Sequence, residues 1–170
     1  LVWVRLSGLF CNQFMVSAYI PHAARKNAPF REDTLEALHE LLSTETMKGD
    51  CVIVMGDMYS KLARSVKGVT GRYRMHPRSD AGGERLTEIM QTHNLFAASK
   101  YFCPQKKSSP GQATYISKSK QTAHQIDYLL VSPRWLSSIK SFRVVWAQTI
   151  IIIYLYFPMR NGYSTRLFYF

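Results

Sequence analysis

The chain has 170 residues, 46% of them hydrophobic, enough for one globular domain with a packed core. Its 22 basic and 11 acidic residues leave a formal charge of +11, which favours a polyanionic partner, with nucleic acid ahead of an anionic membrane surface. Cys11, Cys51 and Cys103 are odd in number and widely spaced, which argues against a disulfide framework and a zinc site and fits a reducing, intracellular (nuclear or cytoplasmic) compartment.

In chain order, residues 1–6 and 15–20 read as two strands of a hairpin, separated by Ser7-Gly8 and Asn12-Gln13. The first residue is Leu1 rather than methionine, the mark of a fragment or of an imperfect gene model. Arg5 and Asn12 interrupt the only apolar N-terminal stretch, so no secretory signal is expected. Pro21 ends the second strand. Over 31–44, Leu35, Leu38, Leu41 and Leu42 recur at helical spacing, with Glu32, Asp33 and Glu36 placed in the first turn.

Gly49-Asp50 then turns the chain into Cys51-Val52-Ile53-Val54-Met55-Gly56-Asp57, a buried strand that ends in a glycine and a carboxylate. A carboxylate buried there is costly unless a metal ion, a cation or a reacting proton compensates it. Residues 58–82 read as loop, 83–93 as a second amphipathic helix with Leu86, Ile89 and Met90 inward, and 103–112 as a polar loop. Three strands are expected at 113–117, 125–131 and 139–146; the middle one sets Asp127 inside an apolar run. The apolar run at 150–157 is far shorter than the ~20 residues of a membrane-crossing helix, so it reads as a core strand or an aggregation-prone tail. No internal repeat is visible, and the elements together indicate an α/β or α+β sandwich.

The order of these motifs resembles the endonuclease/exonuclease/phosphatase superfamily. Ser17-Ala18-Tyr19-Ile20-Pro21, the Leu-rich helix and the strand into Gly56-Asp57 carry the first half of the likeness. Ala113-Thr114-Tyr115, Gln125-Ile126-Asp127-Tyr128 and Pro133-Arg134-Trp135 carry the second, in the same order. Within the superfamily the spacing is most similar to the endonuclease domain of non-LTR retrotransposons and to host proteins like it. The resemblance covers residues 1–146 and leaves 147–170 as a divergent apolar tail. It implies an α/β fold, a four-layer α-β-β-α sandwich that is partial here, missing the family's N-terminal strands and its native C-terminal strands.

The same resemblance implies a magnesium-dependent phosphodiesterase and DNA as partner. Asp57 would orient or deprotonate the attacking water and touch the metal. Tyr19 would stabilise charge on a phosphate oxygen. Asp127 would orient the family's catalytic histidine. Without the resemblance, Tyr19 reads as an ordinary half-buried aromatic, Asp57 as a cap on the loop after its strand, and Asp127 as a partner for Arg134 or another cation.

The chain departs from the pattern in four places. The family's Gly-Asp-x-Asn has Tyr59 where the asparagine stands, and the larger phenol cannot both donate and accept as an amide does. No glutamate precedes Glu32, so the family's metal-binding glutamate is absent. The loop before the second helix reads His76-Pro77-Arg78-Ser79-Asp80-Ala81-Gly82, with Ser79 or Asp80 in place of an asparagine. The closing Ser-Asp-His is missing: no Asp, Glu or His follows Asp127. One surviving acid binds magnesium weakly, so the expected activity is impaired or lost. The alternatives are a catalytically dead nucleic-acid-binding remnant and a small-molecule phosphatase-like member. Substrate contacts are expected from Tyr59 and from the basic loop, chiefly Arg72, Arg74 and Arg78 interleaved with Tyr73, and a second basic patch lies at Lys106-Lys107 and Lys118-Lys120; solvated loops are the competing reading of both. Of the histidines, His22 and His124 read first as surface residues, with a place at the expected cleft as the alternative, whereas His39 and His93 sit on helices.

Overall fold

The computed structural model describes residues 1–9, 11–22, 27–63, 66, 68–71, 76–98, 101, 113–117, 119, 121–145, 150–159 and 162–169, the last two dozen by backbone alone. Strands β1 (Val2–Leu6), β2 (Gln13–Tyr19), β3 (Cys51–Asp57), β4 (Phe96–Ala97) and β7 (Asp127–Val131) form one mixed sheet in the order β1-β2-β3-β7-β4. β1 and β2 are the expected antiparallel hairpin. β2 and β3 run parallel, which requires a crossover, and helix α1 (Ala28–Glu45) supplies it. β7 returns antiparallel along β3. The fold is thus α/β.

Strand alternation explains why β3 reads as an unbroken apolar run, because both of its faces are covered. Phe14, Val16, Ala18, Val52, Val54, Tyr128 and Leu130 face the helices, meeting Leu35, Leu38 and Leu42 of α1 and Leu86, Ile89 and Met90 of α2 (Ala81–Thr92). On the other face Met15, Cys51, Ile53, Met55, Leu129 and Val131 pack with Ala98 and Ile139. A short 3-10 helix, Pro133–Ser138, presents Trp135 and Leu136 to that second cluster.

Several boundaries differ from the sequence expectation for local reasons. α1 begins at Ala28 because Pro29 occupies a first-turn position, where its missing N–H costs nothing. Glu32, Asp33 and Glu36 therefore fall beyond the first turn, and Glu32 and Glu36 face Arg85 of α2 instead. The strand expected at 113–117 shrinks to β5 (Tyr115–Ile116), paired with β6 (Ala123–His124) in a two-stranded sheet. Gln125 and Ile126 stay outside β7 because His76 and the Thr114 hydroxyl take their backbone N–H groups. β8 (Ile139–Val145), β9 (Ile150–Met159) and β10 (Gly162–Tyr169) form an antiparallel sheet in the order β10-β9-β8, so the apolar run at 150–157 lies within a paired strand. No helix among the described residues is long and apolar enough to cross a membrane.

Gly56 is where the sheet admits no side chain. Its φ is +135°, and a Cβ there would collide with the Ala18 carbonyl oxygen of β2. Gly56→Ala is expected to destabilise the fold by about 3 kcal/mol or more, since backbone strain and a backbone clash add. Urea unfolding measures this, and an unchanged midpoint would contradict the register described.

Candidate active site

The strand registers place three sequence-predicted residues in one row. Tyr19 is the partner of Asp57 across β2 and β3, and Asp57 is the partner of Asp127 across β3 and β7. Asp57 and Asp127 share strand parity with Met55 and Leu129, so they project from the face turned away from the helices. Adjacent strands lie about 4.8 Å apart, so the row spans roughly 10 Å. Tyr19 is 63% exposed at one end, and the two half-buried carboxylates face each other beside it.

Each carboxyl is held by its own polar contact. Asp57 Oδ1 accepts a hydrogen bond from the Tyr59 backbone N–H at 2.9 Å, so the capping role does occur. Burial raises the Asp57 pKa above its ordinary value, against the Tyr59 N–H and the Arg31 guanidinium, which both lower it. Asp127 is pushed up to about 6, first by burial and further by the Asp57 charge, with the Thr114 hydroxyl opposing. Thr114 Oγ1 also accepts from the N–H groups of Ile126 at 3.0 Å and Asp127 at 3.1 Å. This threonine therefore aims Asp127 from both backbone and side chain, a role that sequence reasoning missed although the residue lies inside a quoted motif.

Tyr59 adopts φ +42°, a left-handed backbone that asparagine tolerates and a bulky residue adopts under strain. Its N–H to Asp57 and its carbonyl, which accepts from Arg31 Nη1 at 3.2 Å, hold it there. The Tyr59 ring lies 5.5 Å from His22, and burial with the nearby Tyr115, Asp57 and Tyr19 raises its phenol pKa.

Arg31 was also missed, because a residue that begins a charged helical segment reads as surface. It is only 7% exposed and donates to Pro21 O at 2.8 Å and Ser60 Oγ at 2.7 Å as well as to Tyr59. Gly82 makes room for it, since a Cβ there would overlap the guanidinium. One buried cation thus ties the exits of β2 and β3 together beneath the row.

Other predicted residues are placed differently. Ser79 Oγ accepts from Ala63 N at 2.9 Å, and Asp80 Oδ1 accepts from Gly83 N at 2.8 Å and Lys61 N at 3.1 Å. Both are committed to fastening loops and capping α2, not to standing in for an asparagine at the row. Arg78 is exposed on the approach to α2. Arg72, Arg74, Tyr73, Lys106, Lys107, Lys118 and Lys120 lie outside the described residues. Arg134 lies 5.4 Å over the Trp135 ring and is not among the charges that act on Asp127. His124 stacks between Tyr115 and His76, at ring distances of 6.5 and 5.6 Å.

Two facing carboxylates are the right donors for a hard cation, and a cation between them would relieve the repulsion that raises Asp127. Among the described residues, however, no group of three or more His, Cys, Asp or Glu side chains is placed to hold a metal.

No family model matches the chain. It is 28% identical over 147 residues to craniofacial development protein 2 of Bos taurus, covering 83% of this chain and 23% of that protein. It is 31% identical over 107 residues to the Tragulus javanicus protein of the same name, covering 62% of this chain and 18% of that one. The chain therefore spans about a fifth of the length of these curated relatives. Among solved structures it is similar to the endonuclease domain of TRAS1, a telomere-specific non-LTR retrotransposon, with a TM-score of 0.50 at 17% identity over 84% of this chain and 55% of that one. It is also similar to the 3′-5′ exonuclease NExo of Neisseria meningitidis, with a TM-score of 0.55 at 13% identity over 99% of this chain and 64% of that one. The Neisseria 3′ phosphatase NExo bound to a product DNA hairpin gives 0.56 at 13% identity, over 97% of this chain and 62% of that one. The fold is that of the endonuclease/exonuclease/phosphatase superfamily, as the motif order implied.

The raised Asp127 pKa sets a pH dependence. The folded value of about 6 exceeds the ordinary 3.8, so folding takes up a proton between those pH values. The stability contributed by the protonated form is complete below pH 3.8 and is lost as pH rises through about 6. Asp127→Asn is therefore expected to raise Tm at pH 8 and leave it nearly unchanged at pH 3.5. Thermal unfolding at the two pH values checks this, and an equal shift at both would contradict it.

Proposed function

We propose that residues 1–146 belong to a domain of retrotransposon-endonuclease type, part of a four-layer α-β-β-α sandwich, with 147–170 as an appended segment. In this reading the chain binds DNA, and its impaired or inactive site gives no cleavage above that of a chain without Asp57. The observation that carries the reading is the row of Tyr19, Asp57 and Asp127 across three adjacent strands. The likeness of fold to the TRAS1 endonuclease domain and to NExo bound to a DNA hairpin supports it.

Within the row, Tyr19 presents its exposed phenol to a phosphate oxygen, where a hydrogen bond strengthens as charge builds. Asp57, aimed by the Tyr59 N–H, is the group that orients an attacking water. The strained Tyr59 backbone turns its ring toward His22 rather than supplying a compact amide, and the ring borders the scissile phosphate. Asp57, with Asp127 beside it, is where magnesium would bind, supplying positive charge to the phosphoryl oxygens.

Turnover fails at Asp127. In the family this acid orients a histidine, and among the described residues no third His, Cys, Asp or Glu joins the two carboxylates in a metal-holding group. The Asp127 carboxyl is instead turned onto Thr114 and carries a raised pKa. Losing such a partner from a hydrolytic site costs several orders of magnitude in rate. Binding survives because the charge of +11 draws a polyanion, with Arg72, Arg74 and Arg78 as the proposed phosphate contacts.

The test is a labelled DNA duplex and a supercoiled plasmid with magnesium present. The duplex should bind at low salt and dissociate steeply as salt rises, and plasmid nicking should be no faster than with Asp57→Ala. Nicking that depends on magnesium and disappears in Asp57→Ala would overturn the impaired-site reading, and absence of low-salt binding would overturn the DNA reading.

A further inference from the structure

His39 lies within α1, and His93 caps the C-terminus of α2 through its backbone N–H. Their rings meet edge to face with centroids 4.9 Å apart, and His93 Nε2 stands 3.0 Å from His39 Nδ1. Both are half-buried where α1 meets the end of α2. His39 lies eight residues along α1 from Arg31, about 12 Å of helix, so the pair is remote from the Tyr19–Asp57–Asp127 row. The carboxylates of the same helix seam, Glu32, Glu36 and Glu88, face Arg85.

We propose that His39 and His93 form a two-imidazole site for a divalent transition-metal ion, copper or nickel in preference to zinc, that clips α1 to the end of α2. The donor type excludes magnesium and calcium, which take oxygen ligands, and selects ions that favour imidazole. The spacing selects further. With metal–nitrogen bonds of about 2.05 Å, nitrogens 3.0 Å apart subtend about 94° at the metal. That is the edge of a square plane or octahedron; a tetrahedral ion would need the nitrogens about 3.3 Å apart. Copper and nickel take the first geometry, and water completes their coordination.

The protons balance without any change of oxidation state. In the metal-free protein one ring donates its N–H to the lone pair of the other. On binding, that ring shifts its proton to its remote nitrogen, and both rings turn by roughly 40° off the N···N line so that the facing nitrogens carry lone pairs to the metal. Burial and the neighbouring imidazole lower the His93 pKa, which keeps that ring neutral at neutral pH.

The experiment is thermal unfolding of the whole chain with nickel or magnesium chloride, joined to copper electron paramagnetic resonance. Nickel in about tenfold excess over its Kd should raise Tm by on the order of 3 °C, magnesium should not, and His39→Asn and His93→Asn should each abolish the shift. The copper spectrum of the unaltered chain should show two nitrogen donors, a readout that stands even where a variant folds poorly. A nickel shift that persists in the double variant, no shift in the unaltered chain, or a copper spectrum without two nitrogens would overturn the site. None of these readings depends on DNA binding or cleavage.

Discussion

The structure depends on β3 being paired along its length on both sides, parallel to β2 and antiparallel to β7. A strand in that position has no free register, because a shift by one residue would exchange its two buried faces. Gly56 pins the pairing further, since only a residue without a side chain fits against the Ala18 carbonyl. The row of Tyr19, Asp57 and Asp127 follows from these ladders rather than from any attraction among its members. Two acids are brought face to face by backbone geometry that would persist without them.

That arrangement stores unfavourable electrostatics. Burial raises both carboxyl pKa values and the Asp57 charge raises that of Asp127 further, and the opposing contacts are a backbone N–H, a threonine hydroxyl and the field of Arg31. Arg31 is central to the balance: it is buried, fastens the chain segments leaving β2 and β3, and sits in a space that Gly82 leaves open. The same scaffold that holds the row thus supplies part of its charge compensation. What it does not supply is a third donor among the described residues.

Much of this was legible in the sequence because it rests on period-two alternation and on glycine. The apolar run into Gly56-Asp57, the Leu-rich helix and the acid inside the Asp127 strand each carry their structural meaning locally. The motif order singled out Tyr19, Asp57 and Asp127, and the strand registers set the three in neighbouring positions. Arg31 and Thr114 were not legible, because their roles depend on partners fifty-one and twelve or thirteen positions away: Gly82 for the one, Ile126 and Asp127 for the other. The short β4, β5 and β6 carry too few residues for any periodicity to show. Tyr59 was recognised as the residue replacing an asparagine, but the left-handed backbone that makes asparagine suitable there appears only in the structure.

Asp57 and Asp127 face each other across β3 and β7 and share one electrostatic environment. Carboxyl carbon NMR, recorded as a function of pH on the intact chain and on Asp57→Asn, tests it most directly. The structure predicts that Asp127 titrates near 6 and that its pKa falls when the Asp57 charge is removed. An Asp127 that titrates at the ordinary carboxylate value, or that ignores the Asp57 substitution, would contradict the row.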